Sequence, residues 1–142
     1  MEVTAEPTDN DQAVVAISAE TDVIEVRRVL RAAAQDAGLG LVDSTKLVTA
    51  GSELTRNILT YATGSRGMLR AKRIHETGRL GVRAEFTDDG PGIDDIETAL
   101  TDGFSTGGSM GLGLPGTQRL VDEMSITSAA SGTTVTVIKW RR

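Results

Sequence analysis

Hydrophobic positions recur with two different periods along the chain, and the change of period divides it into elements. Val23, Val26, Leu30, Ala33 and Ala37 keep helical spacing up to Gly38, a residue suited to the left-handed turn that closes a helix. Asp22 followed by Glu25 has the form of a capping box, so a helix is predicted over 22–37. A second stripe of Leu47, Ala50, Leu54, Ile58 and Tyr61 predicts another helix, capped by Asp43 or Ser44 and ending near Ala62 or Gly64. From Gly67 to Asp88 the period falls to two. Leu80, Val82, Ala84 and Phe86 alternate there with Gly81, Arg83, Glu85 and Thr87, and Glu76-Thr77-Gly78 forms the turn of a hairpin.

Residues 13–18 form a short β-prone run before the first helix. A short helix is expected over 94–100 and a Gly/Ser/Thr loop over 101–109. After Pro115 the pattern Leu120, Val121, Met124 predicts a third long helix, and residues 124–128 and 133–140 predict a last hairpin across Ser131-Gly132. One face of the 67–88 hairpin is polar, so helices should cover the sheet on one side only. The expected fold is an α+β two-layer sandwich.

Composition narrows the function. In 142 residues there are 3% aromatics and a net charge of −5, which argues against a nucleic-acid binder that stacks bases on aromatic rings. With no Cys and only His75, disulfides, thiolate metal sites, multi-His sites and Cys nucleophiles are all excluded. No apolar run approaches membrane-spanning length and no signal peptide is evident, so the expectation is a cytoplasmic protein with no membrane partner. The acidity is concentrated in residues 1–12, where Glu2, Glu6, Asp9 and Asp11 stand without a base; a disordered acidic tail followed by one domain over 13–142 is expected.

Three clusters could carry chemistry. Glu53 and Asn57 lie one helical turn apart, on a flank bordering the apolar stripe. A carboxamide oxygen is a hard ligand for Mg²⁺ and a nearby carboxylate can take a proton from an attacking hydroxyl, although the same pair also suits an ordinary helix surface. Asp88-Asp89-Gly90-Pro91-Gly92 follows a strand; its glycines admit close approach of a flat ligand and its Asp can accept from an exocyclic amine, while a plain tight turn would look alike. The third is the run from Gly107 to Gly116, six of whose ten residues are Gly or Pro, placed before a helix whose amides could face phosphates. It contains no Lys for a Walker loop, and it lies too late in the chain for a dinucleotide fingerprint.

The order Glu-x-x-x-Asn, Asp-x-Gly-x-Gly after a strand, Gly-x-Gly before a helix and Gly-Thr in a late hairpin resembles the Bergerat-fold (GHKL) ATPases, which include gyrase, Hsp90, histidine kinases and MutL. Within them the chain is most similar to the switch serine/threonine kinases of bacterial stressosome partner-switching modules. That likeness runs from about residue 14 to the C-terminus through Ser52-Glu53-Leu54-Thr55-Arg56-Asn57, Asp89-Gly90-Pro91-Gly92-Ile93, Asp102-Gly103-Phe104-Ser105-Thr106, Gly113-Leu114-Pro115-Gly116, Arg119-Leu120-Val121-Asp122-Glu123 and Ile138-Lys139-Trp140. Ser109-Met110 departs from the small-residue stretch usual in that family.

The resemblance implies a mixed sheet with helices on one face and an ATP- and Mg²⁺-dependent protein kinase. By it, Glu53 is the catalytic base and Asn57 holds the metal. Asp88, Gly90 and Gly92 receive adenine, Gly108, Gly111 and Gly113 line the lid and phosphates, and Thr133 contacts the nucleotide from below. It also implies a STAS-domain antagonist as substrate and a PP2C-type phosphatase as the partner activated. The alternatives are an anti-sigma factor kinase of the same fold and a nucleotide-dependent interaction module without catalysis. A histidine-kinase fragment is disfavoured because His75 falls in a strand, where it reads as a solvated residue.

Charge adds a last pattern. Seven bases and one acid occupy 56–83, whereas seven acids and no base occupy 84–102. The basic block could deter edge-to-edge pairing or steer a partner, and Arg56, beside Asn57, is the base expected to serve the site.

Overall fold

The computed structural model describes residues 12–61, 66–89, 114–129 and 132–142. Residues 1–11 of the expected tail, the 94–100 helix, the 101–109 loop and residues 62–64 and 131 lie outside these segments. The elements run β1 (Ala13–Ile17), α1 (Asp22–Ala37), α2 (Leu41–Tyr61), β2 (Gly67–Glu76), β3 (Arg79–Asp88), α3 (Leu114–Leu120), β4 (Glu123–Ala129) and β5 (Gly132–Trp140). The five strands form one sheet in the order β1-β2-β3-β5-β4. Every pairing among them is antiparallel, so the described sheet is not mixed as the resemblance implied.

α1 and α2 pack on each other and on one face of the sheet. Val26, Leu30, Leu47, Leu54 and Ile58 from the helices meet Ile17, Leu69, Val82, Phe86 and Val137 from the strands in a continuous core. Removing side chains of this size from water contributes about 1.5–3 kcal/mol each. The helices approach closely at Gly51, where a Cβ would stand 2.2 Å from Leu30 Cδ1. Among the described residues no helix is long and apolar enough to cross a membrane.

The first helix begins at Asp22 as expected, but the N-terminal capping of both helices differs from expectation. Glu25 pairs with Arg28, and it is Asp22 that reaches back, accepting from the Ser18 and Ala19 amides at 2.9 and 3.0 Å. Those two amides hold the Asp22 carboxyl below its ordinary range. The carboxylate half of a capping box is therefore present, three residues upstream of the expected one. α2 opens at Leu41, with Ser44 N–H donating to Gly40 O at 2.8 Å, so Asp43 and Ser44 lie inside its first turn.

The end of α1 matches the pattern. Gly38 has φ 79°, and Leu39 N–H closes the last turn on Ala34 O at 2.9 Å. The β2–β3 turn is the two residues Thr77-Gly78, with φ of 48° and 80°. Positive φ at both suits the twist of flanking strands.

The third helix is shorter than expected. α3 ends at Leu120, and Met124 lies on β4 opposite Val137. Asp122 accounts for the early stop. Its backbone N–H donates to Ile138 O at 2.9 Å and its carboxylate accepts from Trp140 N–H at 2.7 Å, which bonds the chain to β5.

Candidate functional site

α2 presents Glu53 and Asn57 as the pattern requires. Both are half-buried, between the buried Leu54 and Ile58 and the exposed Arg56. Arg56 Nη1 lies 3.1 Å from Glu53 Oε2, with side chains 51% and 42% exposed. An ion pair so open to water adds at most about 1 kcal/mol to stability, so its main effect is on where the carboxylate points. The backbone beneath is fixed by buried hydroxyls. Ser52 Oγ donates to Val48 O at 3.0 Å and accepts from Arg27 Nε at 2.8 Å, while Thr55 Oγ1 donates to Gly51 O at 2.8 Å.

Asp88 and Thr133, 45 residues apart, meet where β3 ends and β5 begins: Thr133 N–H donates to Asp88 Oδ1 at 3.2 Å. Thr133 is buried, and its hydroxyl shares a 3.0 Å hydrogen bond with Ser128 Oγ. The preceding Gly132 has φ 151°, and a Cβ there would lie 2.1 Å from Asp88 O. Only glycine admits this approach, which explains why Gly precedes Thr.

The two halves of the site are joined through Gly67. It pairs with Asp88 across the sheet, and a Cβ on it would stand 2.4 Å from Thr87 O and 2.9 Å from Ile58 Cγ2. Ile58 follows Asn57, so the end of α2 that carries the carboxamide packs directly on the end of the sheet that carries Asp88. α3 also packs against α2. It buries Leu114 and Thr117, and among the described residues Thr117 Oγ1 is the buried side-chain polar atom without a hydrogen-bond partner.

Of the residues expected at the site, Glu53, Asn57, Asp88 and Thr133 lie on this end of the molecule. Gly90, Gly92, Gly108, Gly111 and Gly113 lie outside the described residues. His75 is exposed on β2, as expected. The sequence reading missed Gly67, the Arg27–Ser52 bond and the Thr117 hydroxyl. Ser52 stood inside a recognised motif, but nothing local marks Arg27 as its partner.

No group of three or more His, Asp or Glu side chains that could hold a metal ion occurs among the described residues. A cation here would rest on one or two protein oxygens with phosphate and water completing its shell, which is how Mg²⁺ is usually held.

The opposite end of the sheet carries a different cluster. Lys139, buried, lies 3.5 Å from both Asp43 Oδ1 and Asp122 Oδ1, and Arg142 bonds the same two carboxylates. Burial pushes the Asp122 carboxyl up, but the Trp140 N–H, Lys139 and Arg142 outweigh it and leave the group below the usual carboxylate range.

Known proteins share this pattern and shape. Residues 17–139 match the family model described as the histidine kinase-like ATPase domain. The serine/threonine-protein kinase RsbT of Bacillus subtilis (strain 168) is 43% identical over 134 residues, which cover 94% of this chain and 99% of that protein. A solved structure of RsbU and RsbW domains from Mycobacterium tuberculosis superposes with a TM-score of 0.59 at 23% identity, over 92% of this chain. This chain spans only 33% of that one. The mycobacterial sensor histidine kinase MprB gives a TM-score of 0.57 at 20% identity, covering 92% of this chain and 98% of that one. At such identities the two structures speak for the fold.

Proposed function

Since the chain belongs to the histidine kinase-like ATPase family and, within it, to the RsbT-type serine/threonine kinases, we propose that it phosphorylates a STAS-domain antagonist and, once released, binds and activates a PP2C-type phosphatase. The chain is a serine/threonine protein kinase that uses ATP. The observation that carries the finer reading is the 43% identity to RsbT across 94% of the chain. We assign one kinase domain to 13–142 and, on the same likeness, a cytoplasmic location.

Each site residue then has a role that its surroundings support. Glu53, half-buried and oriented by Arg56, takes the proton of the substrate hydroxyl. As that oxygen bonds to the γ-phosphorus, the bond to the bridging oxygen breaks and ADP leaves. Positioning and charge neutralisation supply most of the rate in such a transfer, so a sparse site is sufficient. Asp88, its carboxylate fixed by the Thr133 amide, accepts from the adenine amino group, and Gly90 and Gly92 let the ring lie flat. Thr133 supports the nucleotide from below, and Gly108, Gly111 and Gly113 give amides to the phosphates.

The half-buried Asn57 carboxamide fits a Mg²⁺ ligand that shares its ion with phosphate oxygens. When bound, that ion would neutralise phosphate charge. The unpartnered Thr117 hydroxyl, on the helix that follows Gly113, also suits a site that a ligand completes.

The test is transfer from γ-labelled ATP to a purified STAS-domain protein of the same organism, followed by binding of the released kinase to a PP2C-type phosphatase. Label on a serine or threonine is expected, with kinase–phosphatase association appearing only after transfer. Absence of label on any STAS protein would overturn the substrate assignment in favour of the interaction module without catalysis, and co-purification of a sigma factor with the kinase would overturn the partner assignment in favour of the anti-sigma reading.

A further inference from the structure

The basic block of the sequence is divided by the sheet. Arg73 pairs with Val82, whose side chain is in the core, so Arg73 lies on the helix side, beside Arg28 and Asp36 of α1. Arg70, Lys72 and Arg83 lie on the outer face, where with Gln12 and Glu85 they line a shallow depression of about 110 Å³.

This outer cluster is costly to the hairpin. Lys72 stands directly opposite Arg83 in the register, and like charges facing one another across strands are destabilising. Among the described residues neither Lys72 nor Arg83 forms an ion pair, and Arg70 reaches Glu85 only at 4.0 Å. A surface that concentrates cations beyond what its own acids neutralise is complementary to an anionic segment.

Gln12, at the start of β1, lines the same depression. The residues before it carry Glu2, Glu6, Asp9 and Asp11 and no base. Consecutive Cα atoms are about 3.8 Å apart, so whatever course segment 1–11 takes, its point of attachment is Gln12 at the edge of the depression. A tether this short holds the acids at an effective concentration on the order of millimolar, above that of a free partner.

We propose that the acidic segment 1–11 docks on the Arg70–Lys72–Arg83 face of its own chain, so that an acidic protein surface approaching this face must displace it. A second copy of the chain is a poorer occupant, because a two-fold contact through this patch would set its cations against one another.

The chain has no cysteine, so Thr4→Cys gives one attachment point for a spin label in the full-length protein. At low ionic strength the amide signals of Arg70, Lys72 and Arg83 should lose most of their intensity, while those of Ala32 and Ala33 on α1 keep theirs. Raising salt to 1 M, where the screening length is about 3 Å, should restore them. The loss should also vanish in Lys72→Glu/Arg83→Glu. Should that variant fail to fold, a tail carrying Glu2→Gln, Glu6→Gln and Asp9→Asn with Asp11→Asn provides the same readout on an unaltered domain. Undiminished signals at low salt, broadening spread evenly over both faces, or broadening seen only between mixed labelled and unlabelled copies would each overturn the proposal.

Discussion

Gly132 concentrates the demands of the proposed nucleotide end in one residue. A methyl group there would enter the space of Asp88 O while the backbone holds φ 151°. Gly132→Ala should therefore cost about 1–3 kcal/mol, read from urea unfolding, because neither carbonyl nor strand can retreat without breaking the β3–β5 ladder. It should also weaken ATP binding, measured by calorimetry, because the Thr133 N–H bond to Asp88 depends on the same approach. Retained affinity together with lost stability would separate Asp88 from nucleotide recognition. At this scale the sequence was informative wherever a residue's role follows from its neighbours in the chain. Glu53 and Asn57 are one turn apart, and Gly132-Thr133 are adjacent. It was silent about Gly67 and Arg27, whose meaning comes from Ile58 and Ser52 across a tertiary contact.

Among the elements, the junction of α3 and β4 departs furthest from the pattern. Leu120, Val121 and Met124 have helical spacing, yet the chain leaves the helix because Asp122 binds the Ile138 carbonyl and the Trp140 amide. Periodicity records which positions are apolar and cannot register a hydrogen bond to a strand that comes later. The same carboxylate makes stability depend on pH. Its value in the folded chain is lowered, so the stabilisation is complete above the ordinary aspartate value of about 3.9 and is lost as pH falls through the folded value. Asp122→Asn should lower stability at neutral pH by about 1–3 kcal/mol and flatten the acid limb of the unfolding midpoint against pH. An acid limb identical to that of wild type would show that Asp122 does not control it. Strand positions were legible throughout, since the two-residue period of 80–86 matches a sheet with one face on the helices and one in water.

For the whole molecule, the proposed functions divide between the ends and faces of one sheet. The proposed nucleotide end gathers Asp88, Thr133 and the last turns of α2. The far end is tied by Lys139, Asp43, Asp122 and Arg142. The outer face presents a cation cluster beside the start of β1. Charge blocks were visible in the sequence, but their division between two faces required the register, which sets Arg73 apart from Arg70 and Lys72. If the outer face receives an acidic partner, neutralising the tail acids should raise the association rate with that partner in stopped-flow mixing, and the gain should shrink as salt is added. A rate unchanged by the tail at every salt concentration would remove this face from recognition. The proposed phosphoryl transfer turns on Glu53 taking the proton from the substrate hydroxyl. Single-turnover phosphoryl transfer to the STAS protein, run beside ATP affinity for wild type and Glu53→Gln, tests it most directly. A loss of about 10²–10⁴ in the transfer rate with ATP affinity preserved is expected; transfer by Glu53→Gln at the wild-type rate would show that Glu53 is not the base.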